Sequence, residues 1–162
     1  MSTQDTISSW WHSYLGKRED AAARGLAARL RRAASPVDVA AEPAVHVLAQ
    51  RLRKQEQVIP VARILAEIRG DTKETLARRL GPGLKEPAIS NARFERLIRS
   101  EHDALVSALR RVLPAVDRRC NVGRLGADLL YWNEDTRIRW TFDYYHTDMP
   151  GTASRVSQET TE

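Results

Sequence analysis

The sequence of 162 residues has one cysteine, Cys120, and only four lysines. A single cysteine excludes an internal disulfide, which is typical of proteins in a reducing compartment. No apolar run approaches the roughly 18 residues that cross a membrane, and the first residues lack the basic start and apolar stretch of a secretory signal. We therefore expect a soluble, cytoplasmic protein with no membrane partner.

Motifs that carry chemistry are also scarce. None of the four histidines is followed three or four residues later by another metal ligand. The GPG segment at 81–83 lacks the lysine and hydroxyl of a phosphate-binding loop, and no serine lies in a nucleophile elbow. Four acids could converge on a metal, although they serve equally well as helix caps and arginine partners: Asp128, Glu134, Asp135 and Asp143. We expect no enzyme, no metal and no cofactor, with a small metal-dependent nuclease as the alternative.

Arginine is abundant instead. The chain has 26 basic and 21 acidic residues, a net charge of +5, and 22 of the basic residues are arginine. Arginine binds phosphate through a planar, two-pronged fork, so this composition favours a polyanionic partner. The 21 alanines leave a second explanation open, because a GC-rich genome enriches alanine and arginine anywhere.

The hydrophobic pattern repeats with the helical period along almost the whole chain, and alternating strand patterns are absent. This predicts an all-α protein. Predicted helices cover about 6–15, 18–34, 43–54, 58–68, 71–80, 90–114, 121–132 and 135–145. Within them, Asp71 of the DTKE segment, Ser90 and Asn121 are predicted N-caps. Residues 147–162 are polar and are predicted to form a disordered tail.

The predicted helix 90–114 separates its residues into two faces. With Arg93 at zero on a helical wheel, the apolar residues fall between about 40° and 160° and five arginines between about 240° and 360°. The apolar set is Phe94, Leu97, Ile98, Leu105, Ala108, Leu109 and Val112, and the arginine set is Arg93, Arg96, Arg99, Arg110 and Arg111. Asp103 lies among the arginines and could pair with Arg96 or Arg99. The stripe is therefore either a solvated face or a surface for phosphates.

Other basic groups lie on separate helices. In the segment 17–33, Arg24 and Arg31 share a face because they are two turns apart, and Arg32 adjoins them. Arg53 and Lys54 form a second group, and Arg137 and Arg139 a third. Basic groups on several helices indicate an extended surface rather than one element that reads a base sequence.

The last predicted helix is apolar on two sides. Ile138, Phe142 and Tyr145 share one face, and Trp140 and Tyr144 share the opposite one. A helix of this kind lies centrally in a bundle or packs against another chain. Stacking on nucleobases is the alternative.

The order of the helical motifs resembles a known family. From about residue 7 to 146 the motifs are SWWHSYL, RGLAARLRRA with SP, EPAVHVLAQRL, LARRLG, SNARFERLIR, LVSALRRVL, NVGRLGADLLYW and RIRWTFDYY. In order, spacing and total length, the chain is similar to CasB, the small subunit of the type I-E CRISPR surveillance complex Cascade.

The resemblance implies an all-helical bundle in residues 1–146. A smaller N-terminal helical part, about 5–70, would pack on a C-terminal four-helix-like bundle, about 71–146. It further implies a non-catalytic protein that helps to hold the guide RNA–target DNA heteroduplex and the displaced non-target strand. Two copies would lie beside the large subunit, the backbone subunits and the guide RNA.

Carried onto this sequence together with the helical-wheel analysis, the resemblance gives twelve expected nucleic-acid ligands. They are Arg24, Arg31, Arg32, Arg53, Lys54, Arg93, Arg96, Arg99, Arg110, Arg111, Arg137 and Arg139. Two non-enzymatic alternatives stay open. A helical transcription regulator would read the major groove, although NVGRLGADLLYW offers few outward polar side chains beyond Arg124. A pure assembly scaffold would use its arginines on protein carboxylates.

Overall fold

Helices dominate the architecture, as predicted. A computed structural model describes residues 1–83 and 85–147. Its ten α-helices are α1 Thr3–Tyr14, α2 Ala21–Arg32, α3 Pro36–Ala40, α4 Pro43–Leu52, α5 Val58–Leu65, α6 Leu76–Leu80, α7 Asn91–Arg99, α8 His102–Val112, α9 Val122–Leu130 and α10 Glu134–Tyr144. A 3-10 turn, Leu113–Val116, and two short strands, β1 Gly70–Asp71 and β2 Arg119–Cys120, complete the described part. The all-α prediction is confirmed.

Helix α1 buries one face in the core. Ile7, Trp10 and Trp11 are buried on it. The indole N–H of Trp10 donates to the carbonyl of Ala44 at 2.9 Å, and that of Trp11 to the carbonyl of Leu65 at 3.1 Å. Each buried indole thus has a hydrogen-bond acceptor, which removes the cost of burying its polar group.

Two glycines allow α9 to approach α1 closely. A Cβ at Gly126 would lie 2.6 Å from Cγ2 of Ile7, and a Cβ at Gly123 would lie 2.5 Å from the carbonyl oxygen of Gln4. Any side chain at these two positions would force the helices apart. The NVGRLG motif therefore encodes this helix contact.

One predicted cap is wrong. Asp71 does not begin a helix; it lies in β1, which pairs with β2 in parallel. Its carboxylate accepts from the backbone N–H of Val122 at 3.0 Å and so supports the start of α9. Helix α6 begins five residues later, where the Thr75 hydroxyl accepts from the N–H of Arg78 at 3.2 Å. Asp71 was available for this distant role because β1 places it beside α9.

The buried side chains form one contiguous core from Ile7 to Tyr144. Core residues on both sides of the predicted boundary at 70/71 belong to this cluster, and the division into two parts stays a prediction. The predicted tail, apart from Thr147, lies outside the described residues.

Candidate nucleic-acid interface

Helix α7 presents three arginines on one exposed face. Arg93, Arg96 and Arg99 follow each other at intervals of three residues, and all three are exposed. They spread over about 120° of the helix and about 9 Å of its axis. Within residues 1–83 and 85–147, none of them forms an ion pair. We call these three residues the α7 face.

The opposite side of α7 fixes its orientation. Phe94 and Leu97 are buried. The Phe94 ring stacks on Tyr144 of α10 with ring centroids 4.0 Å apart and an interplanar angle of 14°. The Tyr144 hydroxyl lies 2.8 Å from the carbonyl of Ile89, and Ser90 caps the helix by accepting from the N–H of Arg93 at 3.2 Å. The α7 face is therefore held by a packed aromatic pair and a confirmed cap.

The prediction of one continuous helix over 90–114 is wrong. The chain leaves the helix at Ser100, and His102 has a φ of 52°, in the left-handed region. The indole N–H of Trp132 donates to the Ser100 carbonyl at 3.0 Å and satisfies an acceptor that the break exposes. The five arginines thus belong to two helices. The suggested pairing of Asp103 with Arg96 or Arg99 does not occur among the ion pairs of the described chain.

On α8 the two predicted arginines differ in environment. Arg111 is exposed, and Arg110 is half-buried with its Nε 3.4 Å from a carboxylate oxygen of Glu67. Arg31 of α2 lies 3.7 Å from the same carboxylate, and Arg118 also donates to it. We call Glu67 with Arg31, Arg110 and Arg118 the Glu67 cluster. Arg31 and Arg110 of this cluster were predicted ligands, whereas Arg118 and Glu67 were not.

On α10 both predicted arginines have carboxylate partners. Arg137 donates to Glu101 at 2.8 Å, and its guanidinium lies 5.7 Å from the centre of the Trp132 ring. The hydrogen bond from Arg137 holds the pKa of the Glu101 carboxyl below its usual range. Arg139 donates to the buried carboxylate of Asp128 at 2.9 Å. Their contribution to nucleic-acid binding stays a prediction.

Asp128 is bound on both of its oxygens. Besides Arg139, it accepts from the indole N–H of Trp140 at 2.8 Å, and Arg124 lies 3.7 Å away. The side chain of Asp128 is only 6% exposed. These contacts join α9 to α10 inside the fold and engage both oxygens of Asp128. Within the described chain, no group of three or more potential metal ligands comes together.

The remaining predicted ligands lie on the N-terminal helices. Arg32 is exposed at the end of α2. Arg24 donates to the carbonyls of Arg18 and Glu19 at 2.9 and 2.8 Å, so its guanidinium is already engaged. Arg53 ends α4 with a left-handed φ of 55° and is exposed, and the Lys54 ammonium lies 5.4 Å from the centre of the Tyr131 ring.

Sequence reasoning did not select Arg63, Arg69 or Arg118 as ligands. Arg63 and Arg69 are isolated in the sequence and Arg118 adjoins only Arg119, and the fold brings each of the three close to arginines from other segments. One signal was present in the segment VARILAEI, where Glu67 is a lone acid in an apolar run. A carboxylate in such a position needs positively charged partners from elsewhere in the chain.

The fold and these surfaces define a small all-α protein with arginine-rich faces. No helix in the described part is both long and apolar enough to span a membrane. The sequence matches the family of the CRISPR-associated protein Cse2 over residues 10–145. The chain belongs to this family, and the resemblance to Cascade small subunits is confirmed.

A solved structure has the same fold. One chain in the crystal structure of E. coli Cascade bound to a PAM-containing double-stranded DNA target superposes with a TM-score of 0.61 at 22% identity. The match covers 89% of this chain and 94% of that chain. Among curated protein sequences, none matches this chain.

Proposed function

We propose that this protein is the non-catalytic small subunit of a type I-E Cascade complex in antiviral defence. In this role it binds the guide RNA–target DNA heteroduplex and the displaced non-target strand, independently of base sequence. Its other partners would be the large subunit, the backbone subunits and a second copy of itself, in the cytoplasm. The observation that carries the proposal is the α7 face, taken together with membership of the Cse2 family.

The geometry of the α7 face suits a nucleic-acid backbone. Duplex DNA carries one phosphate for each ~3.4 Å of axis on each strand, so the ~9 Å of the α7 face spans two or three phosphates. Each guanidinium offers five N–H donors in a plane and no acceptor. Such a surface contacts phosphates, which position a nucleic acid without reporting its sequence.

Two exposed arginines on other helices belong to the proposed interface as well. Arg111 and Arg32 are both exposed, and neither forms an ion pair within residues 1–83 and 85–147. We assign the strongest contributions to these two residues and the α7 face. Arg24, Arg137 and Arg139 contribute less in this proposal, because their guanidinium groups already bind carbonyls or carboxylates.

A salt-series titration tests the proposal. The purified chain is titrated with fluorescent single-stranded DNA, duplex DNA and RNA between about 0.05 and 0.3 M salt. We expect weak binding without sequence preference, with an affinity that falls steeply as salt rises because bound phosphates release counterions. Preference for one DNA sequence would instead support a transcription regulator.

The assembled complex provides the second test. No binding by the isolated chain even at the lowest salt, and unchanged target retention by a complex carrying the Arg93→Ala, Arg96→Ala and Arg99→Ala changes, would contradict the proposal. That pair of results would favour an assembly scaffold whose arginines face protein. Cleavage of the labelled strands on addition of Mg²⁺ or Mn²⁺ would show that the protein is a nuclease.

A further inference from the structure

The Glu67 cluster concentrates positive charge around one buried carboxylate. Its three guanidiniums come from α2, α8 and the segment before β2, and Glu67 follows α5. Three positive charges therefore surround one negative charge, which leaves a surplus of two. Glu67 itself is 8% exposed. The fold thus brings together four segments to build a local positive site.

Further arginines border the cluster. The guanidinium of Arg18 donates to the carbonyl groups on either side of Glu67, at 2.9 and 3.0 Å. The backbone N–H of Arg69 donates to the Arg118 carbonyl at 2.8 Å. The guanidinium of Arg119 lies across Gly70, where an added Cβ would come within 2.7 Å of it. Of these residues, Arg18 adds positive charge directly beside Glu67, and Arg69 lies close enough to repel Arg18.

The charges in this region repel one another. Burial lowers the pKa of Arg18, and repulsion from Arg31 and Arg69 lowers it further. The pKa of Arg110 is also lowered by burial and then by Arg63. A single carboxylate does not neutralise these groups. An anion placed among them would relieve the repulsion that the fold has assembled.

The cluster is open toward solvent on its arginine side. The side chains of Arg31, Arg110 and Arg118 are 37%, 28% and 26% exposed, whereas that of Glu67 is 9% exposed. Each guanidinium carries five N–H groups, and Glu67 uses only some of them. The Glu67 carboxylate therefore contacts the three guanidiniums on their buried side. N–H donors on their exposed side remain available to a ligand.

We infer that the Glu67 cluster binds one phosphate group of a nucleic-acid backbone, with Glu67 as a positioning residue that holds the three guanidiniums together. The planar forks of arginine match the oxygens of a phosphate, and the surplus charge selects an anion. This inference rests on the proposed function, because it takes the ligand to be part of a bound strand. Inorganic phosphate has the same chemistry and serves as a probe.

The first arm of the test measures thermal unfolding in inorganic phosphate and in chloride at equal ionic strength. The full chain is compared with Arg118→Gln and with a control, Arg29→Gln. Arg29 lies 2.6 Å from Glu42 in a one-to-one pair outside the cluster. We expect phosphate to raise the Tm of the unmodified chain and the control by about 2 °C more than chloride does, and to lose this advantage in Arg118→Gln.

The second arm measures single-stranded DNA binding across a salt series with the same variants. Losing one phosphate contact on a single strand should reduce the slope of log affinity against log salt by about 0.7. We expect this loss in Arg118→Gln and an unchanged slope in Arg29→Gln. This arm separates a backbone phosphate from a free anion.

A third variant, Glu67→Gln, tests the positioning role. Phosphate should raise its Tm by less than it raises the Tm of the unmodified chain, because the three guanidiniums are no longer held together to receive the anion. Cys120 reports whether the variant is folded, since its thiol is fully buried in the folded chain and is protected there from thiol reagents. A phosphate gain equal to or larger than that of the unmodified chain, in folded protein, would overturn the positioning role.

The outcomes separate the two claims. If the unmodified chain binds no strand at any salt and a complex carrying the three α7 changes still retains its target, the proposed function and this inference both fail. If it binds DNA and Arg118→Gln keeps the full salt slope, only the inference fails, even if inorganic phosphate still stabilises the fold. Loss of both the phosphate gain and about 0.7 of the slope in Arg118→Gln supports the site.

Discussion

Helices α7 and α10 contact each other through Phe94 and Tyr144, and both carry arginines, yet their guanidiniums have different surroundings. On α7 they face solvent without a carboxylate partner in the described chain. On α10, Arg137 binds Glu101 and Arg139 binds Asp128. Arginine therefore forms an exposed basic surface on α7 and internal contacts of the fold on α10.

The comparison shows that the charge an arginine presents to solvent depends on the nearest carboxylate and not on helical position alone. A one-to-one pair is neutral and attracts a polyanion weakly, whereas an unpaired guanidinium retains its charge and its five donors. The Glu67 cluster is an intermediate case, since its arginines outnumber the carboxylate. The predictions below change the carboxylates and the arginines of the two helices separately.

The largest expected effect is a loss of stability when the contacts between Asp128 and α10 are removed. Asp128→Ala should lower the free energy of unfolding by about 3 kcal/mol, because it leaves the buried N–H of Trp140 without an acceptor and Arg139 without its partner. Urea unfolding followed by circular dichroism measures this change. Glu95→Ala on the exposed side of α7 is the control and should change stability by less than about 0.5 kcal/mol. Equal losses in the two variants would contradict the structural role of Asp128.

A smaller effect is expected from one charge reversal on α7. Arg96→Glu should weaken single-stranded DNA binding about tenfold at 0.1 M salt, because one phosphate contact is worth roughly fivefold there and the new carboxylate repels the strand. Fluorescence anisotropy measures the affinity. The matched reversal Arg29→Glu places the same charge change on α2. An affinity for Arg96→Glu within about twofold of that control would show that Arg96 does not face the strand.

The smallest expected effect comes from a substitution that frees an arginine of α10, so that α10 resembles α7. Glu101→Gln removes the partner of Arg137 and leaves its guanidinium free. Single-stranded DNA affinity at 0.1 M salt should then rise about two- to fivefold, the worth of up to one additional phosphate contact. Combining Glu101→Gln with Arg137→Ala provides the control, since the gain should disappear. A gain that survives in the double variant would mean that lost repulsion from Glu101, and not the released Arg137, causes it.

The helical class and the core of α7 and α8 were predictable because helical periodicity is a local property. Phe94, Leu97, Leu105, Leu109 and Val112 are buried as the wheel predicted. Ser90 and Asn121 also cap helices as expected, since an N-cap depends only on residues two or three positions away.

The helical period of the apolar residues did not allow the break between α7 and α8 to be predicted. The apolar residues continue in register across it, and a long-range hydrogen bond from Trp132 supports the open carbonyl of Ser100. The role of Asp71 was missed for the same reason, since its partner Val122 lies 51 residues further along the chain. Local patterns contain no information about such partners.

The candidate surface was predictable only in part. An arginine count identified Arg93, Arg96 and Arg99, but it could not distinguish them from Arg137 and Arg139, whose carboxylates come from other segments. The arginines of the Glu67 cluster lie up to 51 positions from Glu67 in the sequence. Among the ion pairs of the described chain, only Arg124–Asp128 lies within one helix, so charge pairing depends mainly on the tertiary fold.

The most direct test compares two triple variants that remove the same number of charges. One carries Arg93→Ala, Arg96→Ala and Arg99→Ala. The other carries Arg29→Ala, Arg124→Ala and Arg137→Ala, whose guanidiniums pair with carboxylates. Single-stranded DNA affinity is measured across a salt series for both variants and for the unmodified chain.

We predict that the α7 variant loses about two units of salt slope and about 100-fold in affinity at 0.1 M salt, while the matched variant loses less than about half a unit. Equal losses in the two variants would contradict the central claim, because they would show that the net charge of the protein, and not the unpaired α7 face, determines binding.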